Sequence, residues 1–338
     1  MCDILKSLFM YDIIAIGKGS RDGFVKADFE LTKWKETPSG RAIVLPLGEK
    51  IGIDEIYFSA GGGATNASVT FARQGLKTAA LAKIGDDVSG QEIVRHLKEE
   101  NVATELIAYS REKPTAYGIL LLKDGARTIL SYHGATNTFS IADIDFDKIK
   151  AAWWYISLSG QAHRLYSDLI EFAKKENIKT AFNPSGYQLK HNKKEILTSL
   201  KDLDFLVMNE EEAAELVGIS FRKEKEVFAK IDELMSPGIV AVTSGPQGVK
   251  VSDGKNIYAA GIFKEKKIVD RTGAGDAFAS GFTTALARGG SIEKAIRLGS
   301  ANATAVVERI GGHAGALTRE EFETSPRWRD LQIKKTRF

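Results

Sequence analysis

With 338 residues, 43% of them hydrophobic and 27% charged, the chain has enough apolar side chains for a sizeable core and does not have the composition of a disordered polymer. Its net charge of +3, from 47 basic and 44 acidic residues, is too near balance for a nucleic-acid-binding surface. No stretch approaches the roughly 18 apolar residues that span a bilayer, so neither nucleic acid nor membrane is an expected partner.

The first ten residues read as a short N-terminal extension, without the charged start, long apolar run and cleavage site of a signal peptide. Cys2 is the only cysteine, which fits a reducing cytoplasm. Residues 11–17 form a buried strand entering a glycine turn. Residues 25–59 alternate and carry Pro38, Gly40, Pro46, Gly48 and Gly52, a pattern of strands and turns outside a main sheet. Residues 64–74 are helical and end at Gly75. A strand over 78–84 follows, then an amphipathic helix over 89–100 with Ile93, Val94 and Leu97 on one face. Residues 105–131 return to paired strands, with a turn at Asp124-Gly125.

Beyond this point the β-then-α unit repeats. Strands are expected at 153–158, 179–182, 203–208 and 239–243, and helices near 163–176, 210–217 and 223–235. A hairpin covers 248–259, and Lys267-Ile268-Val269-Asp270 reads as the end of a strand. Helices over 274–288 and 292–308 close the domain. Residues 325–338 form a basic tail holding Arg327, Arg329, Lys334, Lys335 and Arg337 with Trp328 and Phe338; it reads as a solvated C-terminus, with a contact surface as the alternative.

Strands alternating with helices imply an α/β fold whose parallel sheet is covered on both faces, with ligands at the carboxyl ends of the strands. The excursions at about 23–60 and 107–135 can pair into a small β-sheet lid. Near the C-terminal end of that pattern stands Asp270-Arg271-Thr272-Gly273-Ala274-Gly275-Asp276. The glycines bring the chain to a helix N-terminus, where free N–H groups and the macrodipole favour an anion. Asp276 in the first turn can take a proton from a bound hydroxyl. An aspartate there is equally a common dipole-compensating residue, so the turn alone does not decide.

In order along the chain, Gly61-Gly62-Gly63-Ala64-Thr65-Asn66-Ala67, Asn209-Glu210-Glu211-Glu212 and the Asp270–Asp276 run resemble the signatures of the ribokinase-like (pfkB-type) carbohydrate kinases. The resemblance spans about residues 11–324. It implies a three-layer α/β/α sandwich with a mostly parallel central sheet and the small lid, and an ATP-dependent transfer of a phosphoryl group to a sugar-type hydroxyl. Asp276 would be the base, and the backbone of Gly273, Ala274 and Gly275 the anion hole. Asn209 and Glu212 would help hold Mg²⁺ through water; capping of the helix that follows accounts for the same pair. Thr243, Gly245 and Gly248 would lie beside the nucleotide and Asn302 near the adenine, the alternative being a surface amide. Asp270 and Thr272, with backbone from 311–315, would take a monovalent cation such as K⁺.

For the acceptor, the resemblance selects Asp22, Gly62, Gly63 and Asn66, with a turn role as the alternative for Asp22. Ribokinases usually have a lysine where this chain has Gly63, and a glutamate after the strand ending at Ser157-Leu158-Ser159-Gly160-Gln161. Both departures count against ribose. No arginine follows Asn183-Pro184-Ser185-Gly186-Tyr187, which disfavours a sugar acid. Phe24, Phe29, Trp34 and Phe58 could serve a nucleoside, but packing is their expected use. A nucleoside kinase of the same fold and a catalytically silent sugar- or nucleotide-binding homologue are the rival readings. The exposed edges of a lid sheet are a reason to expect a homodimer.

Overall fold

The computed structural model describes residues 10–37 and 39–337. The expectations for the N-terminal extension, Cys2, Pro38 and Phe338 lie outside the described residues. The chain opens with β1 (Tyr11–Gly17), then β2 (Ser20–Lys26), a hairpin of β3 (Glu30–Lys33) and β4 (Arg41–Val44), and β5 (Glu55–Gly61). Helix α1 (Gly63–Arg73) leads to β6 (Thr78–Leu81), β7 (Lys83–Gly85) and α2 (Val88–Glu99), and then to β8 (Ala108–Ser110), β9 (Ala116–Lys123) and β10 (Ala126–Tyr132). Left-handed Asp124 (φ 52°) and Gly125 (φ 72°) make the tight turn between β9 and β10, as the Asp-Gly pair predicts.

The repeating part is β11 (Ala151–Ser157), α3 (Tyr166–Lys175), β12 (Lys179–Phe182), α4 (Gly186–Ser199), β13 (Phe205–Asn209), α5 (Glu210–Val217), α6 (Glu224–Met235) and β14 (Ile239–Thr243). Strands β15 (Val249–Ser252) and β16 (Asn256–Ala260) form the expected hairpin, and α7 (Ala274–Ala287), α8 (Ile292–Val307), α9 (Arg319–Thr324) and β17 (Ile333–Arg337) complete the chain.

Two sheets organise these elements. The large one runs β17-β16-β15-β14-β13-β12-β11-β1-β6, parallel from β14 to β6 and antiparallel across β14–β17. Alternate residues of β1 feed two cores: Ile14 and Ile16 pack with Trp154 and Phe182 on one face, and Ile13 and Ala15 with Phe71 and Phe282 on the other. Helices α3–α6 supply the first core, and α1, α7 and α8 the second. A Cβ on Gly281 of α7 would stand 3.0 Å from the Gly299 Cα of α8, so the small residues let these two helices approach closely. The small sheet, β10-β9-β2-β5, is the lid.

Two expectations need correction, and one helix lies where none is expected. Residues 261–273 hold no strand: Val269 N and Asp270 N instead both donate to the Val307 carbonyl, at 2.8 and 3.2 Å. The basic tail is not a solvated end. Trp328 is only 5% exposed and meets Phe263 edge-on at 5.2 Å, and β17 pairs antiparallel with β16, so the tail's basic side chains decorate an edge strand. Helix α4 was not expected, because Lys190, His191, Asn192, Lys193 and Lys194 erase its apolar period. Its start is nonetheless marked by a reciprocal cap between Ser185 and Gln188, and Asn192 kinks it.

Candidate active site

Helix α7 begins at Gly273, whose φ of 77° is left-handed. A Cβ there would stand 2.1 Å from the Gly312 carbonyl oxygen, so only glycine both takes this conformation and lets the 311–316 loop close on the turn. Gly275 is exposed and faces open space, leaving the first-turn N–H groups accessible to an anion.

Asp276 lies half-buried behind this turn. Asn66 Nδ2, from buried α1, donates to its Oδ2 at 2.9 Å. Asn183 Nδ2, one residue beyond β12, donates to its Oδ1 at 3.3 Å and also to the Tyr155 hydroxyl at 3.0 Å. Burial pushes the Asp276 carboxyl above its ordinary range, against the Asn66 hydrogen bond. The sequence reading missed Asn183, Tyr155 and His313 (which contacts Asn66). Asn183 sits at the carboxyl end of a correctly predicted strand, where a site residue is to be sought. Nothing local distinguishes Tyr155 or His313.

The lid brings Asp22 to the same site. Its cross-strand partners form one row on one face: Ser59 in β5, Asp22 in β2, Gly118 in β9 and Ser131 in β10. A Cβ on Gly61 would stand 2.0 Å from Asp22 Oδ2, and one on Gly118 2.7 Å from Oδ1, so the carboxylate occupies space two glycines vacate. Burial raises the Asp22 carboxyl, Ser20 and Lys18 oppose this, and the charges of Asp270 and Asp276 add to it. These three carboxylates therefore share one electrostatic site. Gly62 (φ 90°) and Gly63 continue the glycine run, their missing side chains leaving room for the Lys18 carbonyl and the Ser157 hydroxyl. The Lys18 ammonium donates to Ser131 Oγ at 3.4 Å.

On the other side of the turn, Thr243, Gly245 and Gly248 line an apolar cleft with Val249 and Phe278 that reaches Ala274 and Gly275. Asn302 does not join it. It is fully buried: its Nδ2 donates to Thr70 Oγ1 (3.2 Å) and the Ala277 carbonyl (2.8 Å), and its Oδ1 accepts from Leu317 N (2.9 Å). Every polar atom of the amide is thus spent on the core, so it is neither an adenine contact nor a surface group. Ser300 and Ala303 of the same helix line the cleft instead.

Two cation positions fit their residues. Asp270 is 3% exposed; its Oδ1 accepts from Thr272 N (2.9 Å) and Oγ1 (2.7 Å), while Oδ2 is buried without a hydrogen-bond partner. Such an orphaned buried oxygen suits a monovalent cation. Asn209 and Glu212 do form the reciprocal cap, Glu212 N donating to Asn209 Oδ1 (2.8 Å) and Asn209 N to Glu212 Oε2 (2.9 Å). Glu212 Oε1 is left over, and burial with the nearby Asp276 charge raises this carboxyl. No cluster of three or more His, Cys, Asp or Glu side chains occurs among the described residues, so a divalent ion here would keep much of its water.

A glycine turn at a helix N-terminus, a carboxylate beside it and a small lid sheet carrying a second carboxylate fit a phosphotransferase of ribokinase-like architecture. The chain belongs to the pfkB family carbohydrate kinases, whose profile matches residues 43–319. It is 29% identical over 280 residues to a ribokinase of Haemophilus influenzae, covering 81% of this chain and 89% of that one. It is 26% identical over 304 residues to a cytidine kinase of Thermococcus kodakarensis, covering 89% and 98%. Its fold matches that of an Arabidopsis thaliana ribokinase complexed with ribose and ATP, with a TM-score of 0.76 at 20% identity over 95% of this chain and 99% of that one. The protein is an ATP-dependent kinase that phosphorylates a hydroxyl of a sugar or nucleoside.

Proposed function

We propose that the acceptor is a free monosaccharide, bound under the lid between Asp22 and Asp276, and that Asp276 is the base. The observation that carries this reading is that the lid row of Asp22 and Ser59 closes on the Gly311 loop beside the Asp276 turn, near enough for the Asp276 charge to act on the Asp22 carboxyl. The acceptor oxygen attacks the γ-phosphorus, its proton passes to Asp276, and the bond from phosphorus to the bridging oxygen of ADP breaks. The N–H groups of Gly273, Ala274 and Gly275 bear the developing charge. Mg²⁺, held through water near Asn209 and Glu212, would neutralise phosphate charge when bound, and Asp270 and Thr272 would hold K⁺ behind the turn.

The aromatic residues that could serve a nucleobase are occupied elsewhere. Phe24 and Phe29 are buried in the lid, and Trp34 and Phe58 are 49% and 51% exposed. Near the carboxyl end of β11, by contrast, His133 Nδ1, Ser159 Oγ and Gln161 Oε1 are buried without partners. Sugar hydroxyls, each a donor and an acceptor, answer such groups. The single cysteine supports a cytoplasmic setting.

The test is ATP consumption with Mg²⁺ across ribose, fructose, adenosine, inosine and cytidine. Turnover on a free sugar at least tenfold above any nucleoside is expected; the reverse order overturns the substrate assignment. Asp276→Asn should cut kcat by at least about a hundredfold while ATP still binds. Retained turnover would remove Asp276 from its role.

A further inference from the structure

Behind the base, two histidines that no motif singles out stand in line with it. His313 Nδ1 lies 2.9 Å from Asn66 Oδ1, and His313 Nε2 lies 2.7 Å from His96 Nε2. An amide oxygen only accepts, so His313 carries its proton on Nδ1. Its bare Nε2 must then accept, and His96 donates from Nε2. The chain of donors has one direction: His96 to His313, His313 to Asn66, and Asn66 to Asp276 Oδ2 at 2.9 Å. His313 is 2% exposed, and burial with the charges of His96 and Arg73 drives its pKa down to about 3, so the neutral tautomer persists. Arg73 fixes the loop that carries it, donating to the carbonyls of His313 (3.4 Å), Ala314 (3.3 Å) and Ala316 (2.8 Å) while its guanidinium forks onto Glu100.

We infer that His313 is a positioning residue for phosphoryl transfer, locking the Asn66 amide so that it donates to Asp276 Oδ2 and leaves Oδ1, which carries only the longer 3.3 Å bond from Asn183, to take the acceptor proton. A flipped Asn66 would set its oxygen against the carboxylate. Without the His313 N–H the Asn66 oxygen loses its donor, the amide is held from the carboxylate side alone, and the hydrogen bond that orients the base loosens. His96 acts at one remove, fixing which nitrogen of His313 is bare. The inference rests on Asp276 being the base.

His313→Leu removes the donor at similar volume, and His313→Asn restores an N–H close to the Nδ1 position. The leucine variant should lose about tenfold to a hundredfold in kcat, with KM for ATP unchanged; the asparagine variant should recover most of it. A leucine variant with wild-type kcat overturns the inference, and so does an asparagine variant as slow as the leucine one, which would mark a packing role. Wild-type ¹⁵N-histidine NMR, assigned with His96→Gln and His313→Asn, decides independently of how the leucine variant folds. Nδ1–H on His313 is expected, and Nε2–H on it overturns the inference. Full activity in Asp276→Asn would instead sink the assignment of the base, whatever the tautomers.

Discussion

The base role proposed for Asp276 conflicts with its burial. To act as a base it must be ionised, yet burial raises its carboxyl above the ordinary range and the Asn66 hydrogen bond only partly offsets this. Its folded pKa thus exceeds its unfolded value, near 3.9. Stability linked to this group is complete below the unfolded value and is lost as pH rises through the folded one. At neutral pH the ionised form therefore works against folding, and the Asp22 carboxyl, raised by the same burial, adds to the strain. Asp276→Asn should consequently unfold about 2 °C higher than wild type at pH 7.5, an advantage that shrinks as pH falls through the raised folded value and is gone below about pH 4. Thermal melts across that range check it; an unchanged or lower Tm at pH 7.5 would contradict the burial argument. The same shift has a kinetic face: kcat should fall with acid at a pH above the usual carboxylate range. At this scale Asp276, Asp22 and the glycines were reached through the resemblance of three ordered signatures to a family, not through any one local pattern. Asn302 was misread because its partners, Thr70, Ala277 and Leu317, are distant in sequence or on another turn.

Among the elements, the strands of the parallel sheet and helices α5, α7 and α8 followed from apolar runs and capping residues alone. What failed was decided by tertiary contact. Residues 267–270 look like the end of a strand, but Val269 and Asp270 both donate to the Val307 carbonyl instead of pairing in a ladder. The tail looks soluble by charge, and the side chains of β17 are indeed largely exposed, but β16 offers an unpaired edge to its backbone. Trp328 is the anchor of that edge. It is 5% exposed against Phe263, and neighbouring Arg327 forks onto Glu308 at 2.5 and 2.9 Å. Trp328→Ala should therefore cost about 3–5 kcal/mol in urea unfolding, the figure for a buried aromatic. A loss under 1 kcal/mol would mean that the tail is only draped on the sheet.

The lid's two faces divide the labour of the whole molecule. The inner face carries Ser59, Asp22, Gly118 and Ser131, the row that faces the proposed acceptor site. Across the pleat, the next row of cross-strand partners is Phe58, Gly23, Ile119 and Leu130, which points outward. Phe58, Ile119, Leu130 and the adjacent Tyr132 are 51%, 41%, 50% and 48% exposed, a contiguous apolar face on a sheet whose edge strand β10 is exposed throughout. A second copy of this lid is the occupant that fits best, because a two-fold contact buries the same face on both partners and covers the edges at once. The sequence hinted at this only through the lid's edges, since outward and inward residues alternate and their faces separate only once register is known. We propose a homodimer joined lid to lid. Wild type should run as a dimer in light scattering at micromolar concentration. Ile119→Lys combined with Leu130→Lys sets like charges on adjacent strands across the contact and should give a folded monomer, with KM for the acceptor raised several-fold as the lid loses its support. A monomeric wild type, or a double variant that stays dimeric, would place the contact elsewhere.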